Sequence, residues 1–250
     1  MIDYEFQGDK LYINGQENIP SSDNILENGI KKIIFGINFN EPLLEGTLDL
    51  IKHVEEISFG DNFNQSIDNL PTGIKKINFS TKFDKSIDNL PSSIEIIRFE
   101  VFSIFNQPVD NLPIGLKKII FNNTFDQPID FLPSTLEEIK FIVNSKFSHS
   151  FDNLPNSIKI LEIPIRYTNE INNLPNSIEE LRIGVKSYTP DKYSWEDPIY
   201  AFGFDYNFEV EMFNTRISRF PTNLKKLYIY NKYEHIEELK EILGDKLVVV

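Results

Sequence analysis

FNQSIDNLPTGIKKINFSTKF, residues 63–83, is one turn of a repeat. Its Leu-Pro pair returns at Leu70-Pro71, Leu90-Pro91, Leu112-Pro113, Leu132-Pro133, Leu154-Pro155 and Leu174-Pro175, in steps of 20, 22, 20, 22 and 20 residues. Three residues after each Pro comes Ile or Leu, and the apolar positions then follow as I-x-x-I-x-F. A fixed period of this length is the mark of a solenoid, in which each coil buries its apolar face only by stacking on its neighbours.

Within the quoted stretch, Ile74 to Phe79 ends in an alternating run of β-branched and aromatic residues, which reads as a short strand. Ile77 and Phe79 are expected to face inward, and Lys76, Asn78 and Ser80 outward. Pro71 has no N–H and a fixed φ, so it sits outside the strand ladder. Asp68-Asn69 and Gly73 are turn formers. Phe83 and Ile87 are spaced to point inward from the return limb. The same unit gives strand cores at Ile33/Phe35, Ile57/Phe59, Ile77/Phe79, Ile97/Phe99, Ile119/Phe121, Ile139/Phe141, Leu161/Ile163, Leu181/Ile183 and Leu227/Ile229. The expected fold is an α/β-type repeat solenoid of about nine coils, dominated by a parallel β-sheet. Its returns are irregular or 3₁₀, and its crossovers right-handed. Phe63, Phe83, Phe105 and Phe125 share one motif position, so they are expected to stack as a buried column.

The ends break the pattern. Tyr4 to Ile13 alternates around Gln7-Gly8-Asp9, which predicts a hairpin cap within residues 1–25. Ile236, Leu239, Ile242 and Leu243 recur at helical spacing before Gly244, which predicts a helical cap within 231–250, with Leu247 to Val250 adding a last strand. The coils fill 26–230, and the whole reads as a single solenoid domain.

Two further features depart from a plain repeat. The residue after the first apolar position of each motif reads Lys31, Glu55, Lys75, Glu95, Lys117, Glu137, Lys159, Glu179, Lys225, alternating in sign at every step. Stacked neighbours of opposite charge help and like charges hurt, so this ladder is expected to set register. With the 20/22 alternation it points to growth by duplication of a two-coil unit. The second feature is the connection from strand Phe to the next Phe. It lengthens from four residues to six at Phe99–Phe105 and Phe141–Phe147, and in the eighth coil residues 185–212 form an insertion between Ile183 and Phe213. The insertion is rich in Tyr and Phe and holds the single Trp, Trp195. It reads either as a recognition loop or as cover for the solenoid's own edge.

Composition bounds the function. A net charge of -13 disfavours nucleic acid and anionic membrane, which select basic patches. There is no Cys, which excludes thiolate chemistry and suits a reducing compartment. The N-terminus has neither a basic start nor an apolar run, and no stretch approaches a membrane span. The expected location is cytoplasmic.

Phe39-Asn40-Glu41-Pro42-Leu43, Phe63-Asn64-Gln65-Ser66-Ile67, Phe105-Asn106-Gln107-Pro108-Val109 and Phe125-Asp126-Gln127-Pro128-Ile129, each set between L-P-x-x-[IL] turns, resemble FNIP repeats, a branch of the leucine-rich-repeat superfamily. Such repeats are abundant in social amoebae and in giant viruses of amoebae, so a viral source would imply the host cytoplasm. The resemblance implies a non-catalytic scaffold for protein–protein interaction. Family members often carry an N-terminal F-box; here a cap rather than an F-box is expected before the first coil, which leaves a ubiquitin-ligase-type role as a remote alternative.

No catalytic constellation is legible. The three histidines are scattered, His149 sits at the position equivalent to Gln65, and the Glu-Glu pairs are repeat positions. No phosphate-cradling loop, H-E-x-x-H pattern or G-x-S-x-G elbow occurs. The expectation is a protein that is not an enzyme and needs no cofactor or metal. It binds a protein partner, and neither nucleic acid nor membrane. Its contact surface is the exposed sheet face, with Arg98, Lys140, Arg182, Tyr228 and Tyr230, plus the edge bearing the insertion, with Tyr188, Tyr193, Trp195 and Tyr200. The alternative is a structural subunit of a larger assembly, possibly a virion.

Overall fold

A computed structural model describes residues 4–15, 19–142, 144–185 and 213–250. Twelve strands among the described residues lie in one sheet in strict chain order. They are β1 (Tyr4–Gln7), β2 (Lys10–Ile13), β3 (Lys32–Phe35), β4 (Glu56–Ser58), β5 (Lys76–Phe79), β6 (Ile96–Phe99), β7 (Lys118–Phe121), β8 (Glu138–Phe141), β9 (Ile160–Ile163), β10 (Glu180–Ile183), β11 (Lys226–Ile229) and β12 (Leu247–Val249). β1 and β2 form the expected antiparallel hairpin, and every later pairing is parallel. All nine strand cores read from the sequence lie at β3 to β11. β2 and β12 extend the parallel ladder by one strand at each end.

The register is exact in kind: Ile33, Ile57, Ile77, Ile97, Ile119, Ile139 and Leu161 stand opposite one another from strand to strand. A one-residue slip would turn each of these outward, so the buried face fixes the pairing. Behind them run two aromatic columns. Phe35, Phe59, Phe79, Phe99, Phe121 and Phe141 lie at the strand ends. Phe39, Phe63, Phe83, Phe105, Phe125 and Phe147 lie on the returns, and Tyr167 continues that column. Phe63, Phe83, Phe105 and Phe125 are each 0% exposed, as the repeat spacing predicted. Ring centroids are 6.2 Å apart from Phe63 to Phe83, from Phe83 to Phe105 and from Phe105 to Phe125, with planes within 13° of parallel. Each return ring also lies 4.1 Å from its own strand's Phe at Phe79–Phe83 and Phe99–Phe105. Offset stacking adds to the burial of each ring.

The returns are turns and extended segments rather than 3₁₀ helices; the one 3₁₀ helix among the described residues is Gly244–Lys246, near the C-terminal end. Two returns instead hold short α-helices that the repeat reading did not anticipate: α1 (Ser22–Glu27) and α2 (Glu45–Ile51). These precede β3 and β4, before the first Leu-Pro of the series at Leu70-Pro71. Without a proline at that point the chain keeps the N–H groups a helix needs. Ser21 caps α1 through a reciprocal bond with Asn24. The helix expected near the C-terminus is α3 (Ile236–Leu243), ended at Gly244, whose φ of 50° is left-handed. Among the described residues no helix is long and apolar enough to cross a membrane.

Candidate partner-binding surface

The sheet has an outer face built from two columns. In-register parallel pairing places the first residue of each strand in one line: Lys10, Lys32, Glu56, Lys76, Ile96, Lys118, Glu138, Ile160, Glu180 and Lys226. The third residues form the other: Tyr12, Ile34, Ser58, Asn78, Arg98, Ile120, Lys140, Glu162, Arg182 and Tyr228. Neighbours along a column are only about 4.8 Å apart, so long side chains shield one another and the face is half-buried rather than open. Lys140 and Glu162 are buried.

Charge on this face is organised in shared pairs. Glu56 accepts from Lys32 at 2.7 Å and lies 3.4 Å from Lys76. Glu138 lies 2.7 Å from Lys140 and 3.2 Å from Lys118. Burial alone would raise the Glu56 carboxyl. The Lys32 hydrogen bond, the Lys32 and Lys76 charges and the Asn78 amide outweigh it and hold the carboxyl below its ordinary value. Arg182 pairs with Glu180 through Nε and lies over the Tyr228 ring, 5.0 Å from its centroid. Arg98 sits 3.7 Å from Glu100. Counting Glu100 with the two columns, eight Lys and Arg face five Glu here, in a chain that carries 25 basic and 38 acidic residues overall. The excess lies toward the two ends of the face, at Lys10, Lys32 and Lys76 against Glu56 and at Lys226, whereas over β6 to β10 four cations face four carboxylates.

The sign-alternating ladder lies just before the strands. Its ion pairs join coils in twos: Glu55 to Lys75 at 3.2 Å, Glu95 to Lys117 at 2.9 Å, Glu137 to Lys159 at 3.0 Å and Glu179 to Lys225 at 2.6 Å. The same residues carry a backbone ladder, each N–H donating to the preceding coil's carbonyl, as from Glu95 to Lys75 and from Lys117 to Glu95. These side chains are much more exposed than the inner pairs, 52% and 60% for Lys75 and Glu55 against 20% and 13% for Lys76 and Glu56. Solvent screens the outer pairs, and they contribute little each.

Of the residues expected to contact a partner, Arg98, Lys140, Arg182 and Tyr228 share the second outward column. Tyr230 does not join them. It is 8% exposed, its hydroxyl donates to the Phe213 carbonyl, and burial pushes that hydroxyl's pKa up to about 12. The strand stops at Ile229, so alternation no longer governs the next residue, and the turning chain carries Tyr230 against the point where the eighth coil resumes. Asn122, in the equivalent place, is likewise buried, its amide donating to the Ser103 and Phe105 carbonyls. Tyr188, Tyr193, Trp195 and Tyr200 lie outside the described residues. The borders of that insertion are described: Ile183 keeps its place between Ile163 and Ile229, and Phe213 is fully buried. Gly184 leaves with a φ of 62°, and a Cβ there would come within 3.0 Å of the Tyr230 ring and 2.9 Å of Ile165. The two six-residue connections on the same edge share one device: Ser103 and Ser145 are buried, and each hydroxyl accepts the N–H of the Phe two residues on.

An acceptor ladder escaped the sequence reading. The residue after each return Phe is Asn, Asp or Ser, and from Asn40 to Asp126 its side-chain oxygen accepts the backbone N–H of its counterpart one coil later. The series runs from Asn40 to Asn64 at 2.8 Å, Asn64 to Asp84 at 3.0 Å, Asp84 to Asn106 at 3.1 Å, Asn106 to Asp126 at 2.8 Å and Asp126 to Ser148 at 2.9 Å. The recurrence of a side-chain oxygen at that position was the available signal. His149 matches Gln65 in contact as well as in position: each directs Nε2 to the carbonyl of the acceptor residue one coil earlier.

The family model described as FNIP Repeat matches residues 63–100 and 105–143, the coils of β5 to β8. No curated protein matches. Among solved structures, the crystal structure of CroV588, described as a novel circular LRR protein, is similar with a TM-score of 0.54 and 21% identity, over 92% of this chain and 42% of its own. The chain therefore spans less than half the length of that protein. At this identity the likeness establishes the leucine-rich-repeat type of fold.

Proposed function

We propose that this FNIP-repeat, leucine-rich-repeat-like solenoid is a protein-interaction scaffold whose contact surface is the outer sheet face of β6 to β11, supplemented by residues 185–212. The observation that carries the reading is a contrast between columns. The inward positions repeat Ile or Leu and Phe almost without change, whereas the second outward column runs Asn78, Arg98, Ile120, Lys140, Glu162, Arg182, Tyr228. A frame that is constant inside and varied outside is what a surface selected for recognition needs. Tyr and Arg, which supply area and directional bonds at interfaces, stand together at Arg182 and Tyr228.

The test is affinity capture with three proteins: the wild type, Ile120→Ser/Tyr228→Ser, and a variant with 185–212 replaced by a short link. The reading expects the column variant to fold and to lose its specific partner. A column variant that retains the partner while the deletion loses it would move the contact to the insertion alone.

A further inference from the structure

Two side chains break the surface pattern of the Leu-Pro turns. The residue before each Leu is Asn at Asn69, Asn89, Asn111, Asn153 and Asn173, but Phe at Phe131. The residue after each Pro is polar at Thr72, Ser92, Ser134, Asn156 and Asn176, but Ile at Ile114. The two stand at the same turn of neighbouring coils. At 71% and 74%, they are the most exposed large apolar side chains among the described residues. The exchange also removes a bond. Asn89 donates Nδ2 to Asp68 at 3.1 Å and Asn153 donates Nδ2 to Asp130 at 2.9 Å, whereas Phe131 has no amide to offer Asp110.

Charge of one sign surrounds this pair. Asp68, Asp88, Asp110, Asp130 and Asp152 hold one motif position in five successive coils and are all exposed, with about 4.8 Å between coils. Among the described residues none of the five pairs with a Lys or Arg. Between the return Phe and Leu-Pro, the same coils add Asp84 and Asp126 against Lys85 and His149. Across the turn, the ladder from Glu55 to Lys159 is neutral, each Glu being paired with the next Lys. The acidic surplus therefore stands once its neighbours are counted. Like charges in a column destabilise, and the ladder avoids this by alternating sign. The turn itself does not demand the charge, because Asn172 fills the same position one coil later.

We propose that the apolar pair Ile114 and Phe131, set in the aspartate column of the Leu-Pro turns, is a second docking surface that takes a basic amphipathic helix of a partner protein. It is independent of the sheet-face reading, since it lies on the turn edge. The apolar pair supplies area to bury, and charge complementarity selects the occupant. Spacing selects its conformation. Side chains on one side of an α-helix recur about every 5.4 Å along its axis, against about 4.8 Å between coils, a drift of only about 0.6 Å per coil. On one side of an extended strand they recur at about 6.6 Å and fall out of step three times faster. A helix laid along the column with Lys or Arg at i, i+4 and i+7 therefore faces Asp88, Asp110 and Asp130 in turn, and its apolar residues meet Ile114 and Phe131.

The experiment uses two fluorescently labelled peptides, read by anisotropy at 50 and 300 mM NaCl. One is an Ala-based helix with Arg at i, i+4 and i+7 and Leu beside them on the same face. The other has the same composition, with Arg and Leu scattered round the helix. The proteins are the wild type, Ile114→Ser/Phe131→Asn, Asp88→Asn/Asp110→Asn/Asp130→Asn, and the sheet-face variant Ile120→Ser/Tyr228→Ser. The first two variants carry residues that other coils of this chain hold at the same positions, so they keep the fold. The patterned peptide is expected to bind the wild type about tenfold or more tightly than the scattered one. Ile114→Ser/Phe131→Asn should weaken it about tenfold, and the Asp variant severalfold with a smaller effect at 300 mM NaCl. The sheet-face variant should bind it as the wild type does. Equal binding of the scattered peptide would overturn the helical occupant. Weakening by the Asp variant but not by Ile114→Ser/Phe131→Asn would show a general attraction to an acidic protein and overturn the site. Loss with the sheet-face variant would overturn the turn edge in favour of the sheet, and failure of both peptides to bind would overturn the proposal. Sedimentation of the wild type alone should show a monomer. A dimer abolished by Ile114→Ser/Phe131→Asn would overturn the basic partner in favour of a second copy of this chain.

Discussion

The two faces of this sheet obey the same register and use it in opposite ways. On the inner face, stacking at a fixed interval rewards identity. A Phe ring lies flat against the ring above only if the next coil also supplies a flat ring, and Phe79 and Phe99 do so with centroids 5.2 Å apart. On the outer face, the same interval permits variety. A Lys can follow a Glu, an Ile or an Arg, because long side chains adjust and solvent completes what neighbours leave. Uniformity therefore carries the fold, and variation is where specificity can be stored.

The inner face should be the costlier one to damage. Phe83→Ala removes a ring that touches Phe63, Phe79 and Phe105, and is expected to cost about 3–5 kcal/mol. Denaturant unfolding measures it; a loss under 1 kcal/mol would erase the contrast between the faces. The acceptor ladder comes next. Asn64→Ala deprives the Asp84 N–H of its partner and is expected to cost about 1–3 kcal/mol, while Asn64→Asp keeps the acceptor oxygen and should cost less. Equal losses for the two variants would show that the oxygen is not what matters.

Glu56 links the faces' energetics to pH. Its carboxyl is held below the ordinary value in the folded chain, so its contribution is fully present above the ordinary carboxylate range and is lost as pH falls through the lowered folded value. Glu56→Gln should therefore lower the melting temperature at pH 7, and the gap from wild type should close as the pH falls below the ordinary value of 4.5. A gap as wide at pH 3 as at pH 7 would mean that the variant acts through packing. The smallest effect belongs to the exposed ladder. Lys117→Glu puts three like charges in a row with Glu95 and Glu137, and should cost on the order of 1 kcal/mol or less, shrinking with salt. An effect insensitive to salt would contradict a solvated ladder.

Much of this fold was legible because one coil is printed many times. The Leu-Pro period, the Ile/Phe alternation and the turn residues point to the same answer, and repetition averages out any single ambiguity. What escaped has physical causes. α1 and α2 occupy the two returns before Leu70-Pro71, where the prolines that forbid a helix are missing. The acceptor ladder joins Asn40 to Asn64 and Asn64 to Asp84 from coil to coil, and such a partner is visible only once the coils are stacked. Tyr230 reads as an outward residue by alternation, but the strand ends one residue before it. For the candidate surface, Arg98, Lys140, Arg182 and Tyr228 were legible as outward positions. Their half-burial, and the sharing of one Glu between two cations, follow from the close spacing of columns rather than from any single residue.

The division of labour between the faces is tested most directly by denaturant unfolding of two sets of single variants, Phe79→Ala, Phe99→Ala and Phe121→Ala on the inner face and Asn78→Ser, Ile120→Ser and Tyr228→Ser on the outer. The account predicts losses of about 3–5 kcal/mol for each inner variant, whose rings are fully buried, and about 1 kcal/mol or less for each outer one. Losses of the same size on both faces would contradict it.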